Sequence, residues 1–221
     1  MTDKTPQAAQ DRTANGRHAV PTKCVHCKEP MSQPLLCDNC ESLNPLPSFV
    51  DYFELMGVPR RYQVDAALLH DRYINLSRHS HPDFHAEDKP EVLSLAMTVS
   101  AAVNEAYRTL SDPIRRAGYL LELHGGPSSA GDKSVPEGFL NTMVMMQEEL
   151  QDALATADDK EKKRLHDVLL TQRDGLLRRV EGLFAQLEDA SSCEATRQQQ
   201  LHEIRKQLNA VAFVRKMLTQ V

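Results

Sequence analysis

Two clusters of residues in this 221-residue chain have types and spacing that could do chemistry. The first is Cys24-Val25-His26-Cys27 followed, after nine residues, by Cys37-Asp38-Asn39-Cys40. A CxxC turn aims two thiolates at one point. Two such turns complete the tetrahedral sulfur cage that zinc prefers. Cys24, Cys27, Cys37 and Cys40 are therefore predicted to hold one structural Zn2+, with iron as the alternative ion. A closed four-thiolate cage leaves no open position for catalysis. The segment has almost no apolar core of its own, so the metal would supply its folding energy. His26 lies between ligands and reads as a bystander. Cys193 stands alone and is given no role. An odd cysteine count with paired spacing points to metal ligation in a reducing compartment, not to a disulfide framework.

The second cluster is Arg78-His79-Ser80-His81-Pro82-Asp83-Phe84-His85. It has three readings. It could be a polar interhelical turn, since Pro and Asp favour turns. It could be a hydrolase metal site, with His79, His81 and His85 as ligands. That pattern, HxHxDH, fails by one residue because Phe84 separates Asp83 from His85, and the preceding strand it needs is missing. The third reading depends on the elements that flank the loop.

Those elements are helical. Asp65 is a fair N-cap for a helix reaching about Ser80, with Leu68, Leu69, Tyr73 and Leu76 at helical spacing. After the loop the periodicity resumes in Val92, Leu95, Ala96, Val99, Val103, Ala106 and Leu110. Ser111-Asp112-Pro113 breaks and restarts it, with Pro113 in a first turn. The short helix that follows carries Ala117, Leu120 and Leu121 and ends at Gly125-Gly126. Three more helical patterns come after a Gly/Ser/Pro-rich linker. Their predicted seams are Phe139, Met143, Met146, Leu150, Ala153 and Ala157; Leu165, Leu169, Leu176, Val180, Leu183 and Leu187; and Leu201, Ile204, Leu208, Val211 and Leu218. Steps of three and four imply a bundle with a narrow seam. No useful strand alternation and no internal repeat are visible. The expected organisation is a disordered tail over 1–20, a four-cysteine zinc knuckle over 21–47, a helical domain over 48–124, a linker over 125–136 and a three-helix bundle over 137–221.

Bulk properties exclude some roles. A formal net charge of −5 does not favour nucleic acid. No apolar run is long enough to span a bilayer. The first twenty residues lack a signal-peptide apolar region, and Asp3 and Asp11 argue against a transit peptide. The expected location is the cytoplasm, with the mitochondrial matrix as the alternative.

Tyr52-Phe53-Glu54-Leu55 with Gly57 precedes the loop, and Arg72, Tyr73 and Arg78 lie on its first helix. Asn104-Glu105-Ala106-Tyr107-Arg108-Thr109-Leu110, Asp112-Pro113 and Arg115-Arg116-Ala117 follow it. This ordered set, over about residues 50–124, resembles a J domain. Tyr119-Leu120-Leu121-Glu122-Leu123-His124-Gly125 and Phe139-Leu140 to Glu148-Glu149-Leu150 resemble the HscB family of co-chaperones for iron–sulfur cluster assembly, over about residues 50–220. Some members also carry a CxxC…CxxC module before the J domain. The resemblance implies an all-α, L-shaped protein: a J-domain helical hairpin and a C-terminal three-helix bundle, preceded by a small zinc knuckle. It implies a non-enzymatic adaptor. The His81-Pro82-Asp83 loop would stimulate a DnaK/HscA-type chaperone, with Arg72 and Arg78 assisting, and the bundle would carry an IscU-type scaffold. The scaffold contacts carried over are Leu140, Val144, Glu148, Asp152 and Phe213. Asn141, Met145 and Gln147 depart from the bacterial pattern.

The residues support these roles on physical grounds. Residues 60–80 hold Arg60, Arg61, Arg72 and Arg78 against Asp65 and Asp71, a basic stretch that can steer onto an acidic surface. Asp83 can accept charge-assisted bonds from a partner arginine, and Pro82 restricts the loop. Leu140 and Val144 fall at the edge of the first bundle helix. From Ser134 to Asp159 there are acids but no Lys or Arg, so an apolar strip borders negative charge. Phe213 falls off its seam and suits a contact anchor. An alternative keeps the J domain but gives the knuckle a different client. Homodimerisation through the knuckle, or a capping role, also stays open.

Overall fold

The computed structural model describes residues 23–48, 50–188 and 193–221. The 1–20 tail expected to be disordered lies outside them. Among the described residues there are seven α-helices, one short 3-10 turn and no strand, only two isolated bridges. No helix among them is long and apolar enough to cross a membrane. The chain divides into two compact units. Of the described residues, one unit holds those up to Val58 together with His70–Ala106; the other holds those of Pro59–Leu69 and Tyr107–Val221.

In the first unit, α1 (Tyr52–Met56) starts at Asp51. The Asp51 carboxylate accepts from the N–H groups of Phe53 and Glu54 at 2.8 and 2.9 Å. Glu54 accepts in return from the Asp51 N–H, completing a capping box. The helix stops at Gly57, whose φ of 64° is the left-handed conformation glycine adopts without strain. The next helix, α2 (Ala66–Ser80), is capped by Asp65, which accepts from the N–H of Ala67 at 2.9 Å and of Leu68 at 3.1 Å. Leu69 and Leu76 are buried as the spacing implies, but Leu68 is exposed: it lies one position off the ridge that those two define. After the loop, α3 (Pro90–Ser111) buries Ala96, Val99, Val103 and Ala106 in steps of three and four. The Tyr73 hydroxyl donates to Asn104 Oδ1 at 3.0 Å and ties α2 to α3.

In the second unit, α4 (Pro113–Leu123) is capped by Asp112, which accepts from Ile114 and Arg115 N–H at 2.8 and 3.0 Å. Pro113 occupies the first turn, where its missing N–H costs nothing. Three long helices follow: α5 (Phe139–Ala155), α6 (Asp159–Glu188) and α7 (Glu194–Leu218). Gly138 opens α5 in the left-handed region, at φ 73°. Phe139, Met143 and Met146 pack with Leu169, Leu176, Val211, Val214 and Met217 in one core cluster. Leu150, Ala153 and Leu165 form a second.

Further details of this unit differ from the periodic reading, among them Leu218, which is half-buried. Ala157 does not join the α5 seam: the helix ends at Ala155, and Ala157 is an exposed residue at φ 53°. On α6 the buried residue is Phe184, while Leu183 and Leu187 are half-buried. Phe184 extends the ridge of Val180 by four and is claimed by Tyr62, whose ring stacks on it. Finally, the α7 seam is broad, not narrow. It buries Arg205, Gln207, Ala210, Val214 and Met217 besides the expected Leu201, Ile204, Leu208 and Val211. The cause is its neighbours: α7 packs on α4, α5 and α6 together, so more than one stripe must be apolar.

Candidate functional site

The four cysteines converge. Their sulfurs all lie within 4.8 Å of one another, and among the described residues no other group could hold a metal in this way. Cys24 to Cys40 is 3.7 Å and Cys27 to Cys37 is 3.5 Å. A zinc ion bonded at about 2.3 Å to four tetrahedral sulfurs needs edges of about 3.8 Å. The site therefore fits the ion. Two matching turns build it. Cys24 accepts through its carbonyl from the Lys28 N–H at 3.1 Å, and Cys37 from the Glu41 N–H at 3.0 Å. His26 N–H donates to the Cys24 sulfur at 3.3 Å and Asn39 N–H to the Cys37 sulfur at 3.4 Å. Lys28 and Glu41 both take positive φ, 66° and 54°. Bridges Lys23–Pro30 and Leu36–Leu43 close the turns. The knuckle is thus a backbone repeat offset by thirteen residues, Cys24 to Cys37, which side-chain identity hides apart from the cysteines.

The thiols are unequal. Burial opposes ionisation of Cys24, but the N–H groups of Cys27 and His26 and the Asn44 amide outweigh it and bring the thiol down to about 6. At Cys37 the N–H groups of Cys40 and Asn39 favour the thiolate. Burial and the Cys27 and Cys40 sulfurs nevertheless push it up to about 11. One thiolate forms readily and resists the next, a conflict that a divalent cation resolves. Asn44 escaped sequence reasoning. It is fully buried, accepts from Val25 N–H at 2.8 Å, and donates to the Ser42 carbonyl at 3.0 Å. Its only sequence signal is a polar side chain placed just before the Pro45 boundary.

The His81-Pro82-Asp83 loop follows directly on α2. Pro82–His85 forms the 3-10 turn, and His81 serves as its N-cap by accepting the Asp83 N–H on Nδ1 at 3.2 Å. The side chains of His81 and Asp83 are 53% and 87% exposed, and Phe84 is 72% exposed. This is a presented tripeptide, not one turned inward. The hydrolase reading fails on geometry. His85 commits both ring nitrogens, Nδ1 to Asp88 at 2.8 Å and Nε2 to the His79 carbonyl at 2.9 Å, and His79 Nδ1 bonds the Asn75 carbonyl at 2.9 Å. Arg78 is exposed and lines a cleft of 480 Å³ with His26, Leu43, Phe84, Val92 and Leu95, between the knuckle and the loop. Arg72 is different. Its Nε is buried without a hydrogen-bond partner, beside Gly57. The residue as a whole is half-buried, with this nitrogen next to the glycine that ends α1.

In the second unit, Leu140, Val144, Glu148 and Asp152 form one exposed line along α5 at four-residue steps, with Leu140 and Val144 53% and 56% exposed. Met145, adjacent, is also exposed. Phe213 of α7 is 38% exposed, and its ring stands edge-on to Phe139, centroids 6.0 Å apart. The first residue of α5 thus links Phe213 to the helix that bears the other four.

A presented His-Pro-Asp loop joining two cross-tied helices, with a bundle after them, defines a J-domain protein. A family model described as the DnaJ domain matches residues 51–119. The fold is similar to human co-chaperone protein HscB, with a TM-score of 0.72 and 25% identity over 88% of this chain and 94% of that one. It is also similar to chaperone HscB from Vibrio cholerae, with a TM-score of 0.63 and 27% identity over 77% of this chain and 94% of that one. Residues 51–119 thus form a J domain, within a chain whose fold is that of HscB-type co-chaperones. Such proteins regulate a chaperone ATPase and are not themselves catalysts.

Proposed function

We propose that this co-chaperone makes a DnaK/HscA-type chaperone hydrolyse ATP through His81-Pro82-Asp83 and delivers an IscU-type iron–sulfur scaffold carried by the bundle. The observation that carries the reading is the tripeptide itself, exposed at the end of α2. The Asp83 carboxylate has open lone pairs that a partner guanidinium can take in a bidentate bond. The His81 ring and the bare Phe84 ring stand beside it, 6.1 Å apart and edge to face. Together they offer charge, a hydrogen bond and an aromatic anchor within four residues, the composition of an interface centre.

The scaffold would sit on Leu140, Val144, Glu148, Asp152 and Phe213. Exposed apolar side chains bordered by carboxylates favour a partner with an apolar, basic-edged surface. The knuckle would hold one structural Zn2+ on Cys24, Cys27, Cys37 and Cys40, supplying folding energy and no chemistry. Four reduced thiols at this spacing suit the cytoplasm, where we place the protein.

Substitution His81→Gln tests the reading. The variant is expected to keep its circular dichroism spectrum and scaffold capture while losing stimulation of a purified DnaK-type ATPase. Normal stimulation by that variant would refute it.

A further inference from the structure

The tripeptide is short and exposed, so something must hold it. The nearest candidate is a side chain just outside it. His85 ends the 3-10 turn and faces two groups at once, the His79 carbonyl at the end of α2 and the Asp88 carboxylate in the segment leading to α3. A carbonyl oxygen can only accept a hydrogen bond, and so can an ionised carboxylate. Both ring nitrogens must then donate. A neutral imidazole carries one N–H and satisfies one partner; the imidazolium satisfies both.

We infer that His85, as an imidazolium bonded to His79 on one side and Asp88 on the other, is a positioning residue that fixes His81-Pro82-Asp83 for its chaperone partner. The inference rests on the proposed role of that loop. Its geometry is that of a clamp. One bond anchors the ring to the C-terminal turn of α2, whose exposed carbonyls also favour a cation. The other reaches across the turn, where the Asp88 N–H already donates to the His85 carbonyl at 3.1 Å. Residues 81–83 lie inside the loop so closed. The His79 carbonyl, then Asp88, raise the affinity of His85 for its proton, against a smaller opposing effect of burial. The other charged or titratable groups that line the cleft with His85 are Arg78 and His79 from α2 and His26 and Glu41 from the knuckle; α3 contributes only Val92 and Leu95 to it.

The sign of the pH dependence follows. A raised folded value means the clamp is complete below the ordinary histidine value of about 6.5 and is lost as pH rises through the higher folded value. Deprotonation breaks one of the two bonds and frees the loop, without touching the tripeptide.

The test compares wild type with His85→Gln and Asp88→Asn in the full chain. Three readouts are needed: NMR titration of the His85 ring, amide exchange over residues 81–88, and stimulation of a purified DnaK-type ATPase at several pH values. The ring is expected to titrate above 6.5 in wild type and to move down in Asp88→Asn. Wild-type loop protection, corrected for intrinsic exchange, should fall through that titration, while His85→Gln stays low and flat. The concentration of His85→Gln giving half-maximal stimulation should rise roughly tenfold, as one lost charge-assisted bond implies, with the maximum retained. A ring titrating at or below about 6.5, or a Gln variant with unchanged loop protection, overturns the clamp. Unchanged half-maximal concentration overturns its role in presentation. Full stimulation by His81→Gln would instead overturn the loop's proposed role, and the clamp would then stand or fall on titration and exchange alone.

Discussion

The Tyr62 ring lies stacked on Phe184, centroids 5.4 Å apart and planes 15° from parallel. Arg116 sits over the Tyr62 ring at 5.2 Å, and the His124 ring is 6.3 Å from Phe184. A residue between α1 and α2, two from α4 and its C-cap, and one from α6 thus share one aromatic core. Phe184 is almost completely buried. Truncation to Ala should cost roughly 3–5 kcal/mol, the usual range for a buried aromatic. Urea denaturation followed by circular dichroism measures it. A loss below about 1 kcal/mol would mean that Phe184 does not anchor this core.

His124 should make the protein acid-sensitive. Burial lowers its affinity for a proton, and Arg197 and Arg60 lower it further. Arg197 donates to its Nδ1 at 3.1 Å, a bond the imidazolium cannot accept. The folded value lies below the unfolded one, so the unfolded chain binds the proton first. Stability from this site is complete above about 6.5 and declines as pH falls below it toward the folded value. His85 acts in the opposite direction. Denaturation midpoints of wild type and His124→Gln at about pH 7.5 and 5.5, either side of the ordinary histidine value, check this: the acid loss should be smaller in the variant.

The knuckle should unfold without its metal. Cys24→Ser or Cys37→Ser is expected to abolish binding of one zinc per chain, measured by native mass spectrometry, because three thiolates leave the cage open. The far-UV helical signal should persist, since no α-helix lies within residues 23–48. Acidification should release the ion by protonating the thiolates.

The proposed client face should be separable from stability. Leu140→Ala with Phe213→Ala removes two exposed side chains. Scaffold capture is expected to fall at least roughly tenfold, while the unfolding free energy changes by no more than about 1 kcal/mol. Isothermal titration with an IscU-type scaffold and urea denaturation give the two numbers. Retained capture would place the client elsewhere.

Local rules made part of this molecule legible. Asp65 and Asp112-Pro113 start helices because their side chains bond the first free N–H groups within three residues, a relation contained in the sequence itself. The cysteine cage was readable because two CxxC turns leave few alternatives. The misses are tertiary. Leu183 and Phe184 both suit a helical seam, and only the presence of Tyr62 and His124 selects Phe184. Leu68 reads as apolar and buried, yet α2 turns it outward. Arg205 is buried on α7 because its Nε donates to the Pro127 carbonyl at 2.8 Å, a partner far away in the chain. His85 was visible as a histidine near a loop, but its two acceptors are set by the way the turn folds back on α2.

The broad apolar surface of α7 bears on how the chain is made. Helices α4, α5 and α6 all pack on α7, and all three precede it in the chain. During synthesis their seams are only partly covered, by one another, until α7 has left the ribosome. The elements flanking the His-Pro-Asp loop emerge much earlier. The nascent chain therefore passes through an interval in which the loop's helices are complete while its bundle is still an exposed, apolar, client-like chain. A co-chaperone of this layout is, for a moment in its own biogenesis, a substrate of the kind that chaperones bind.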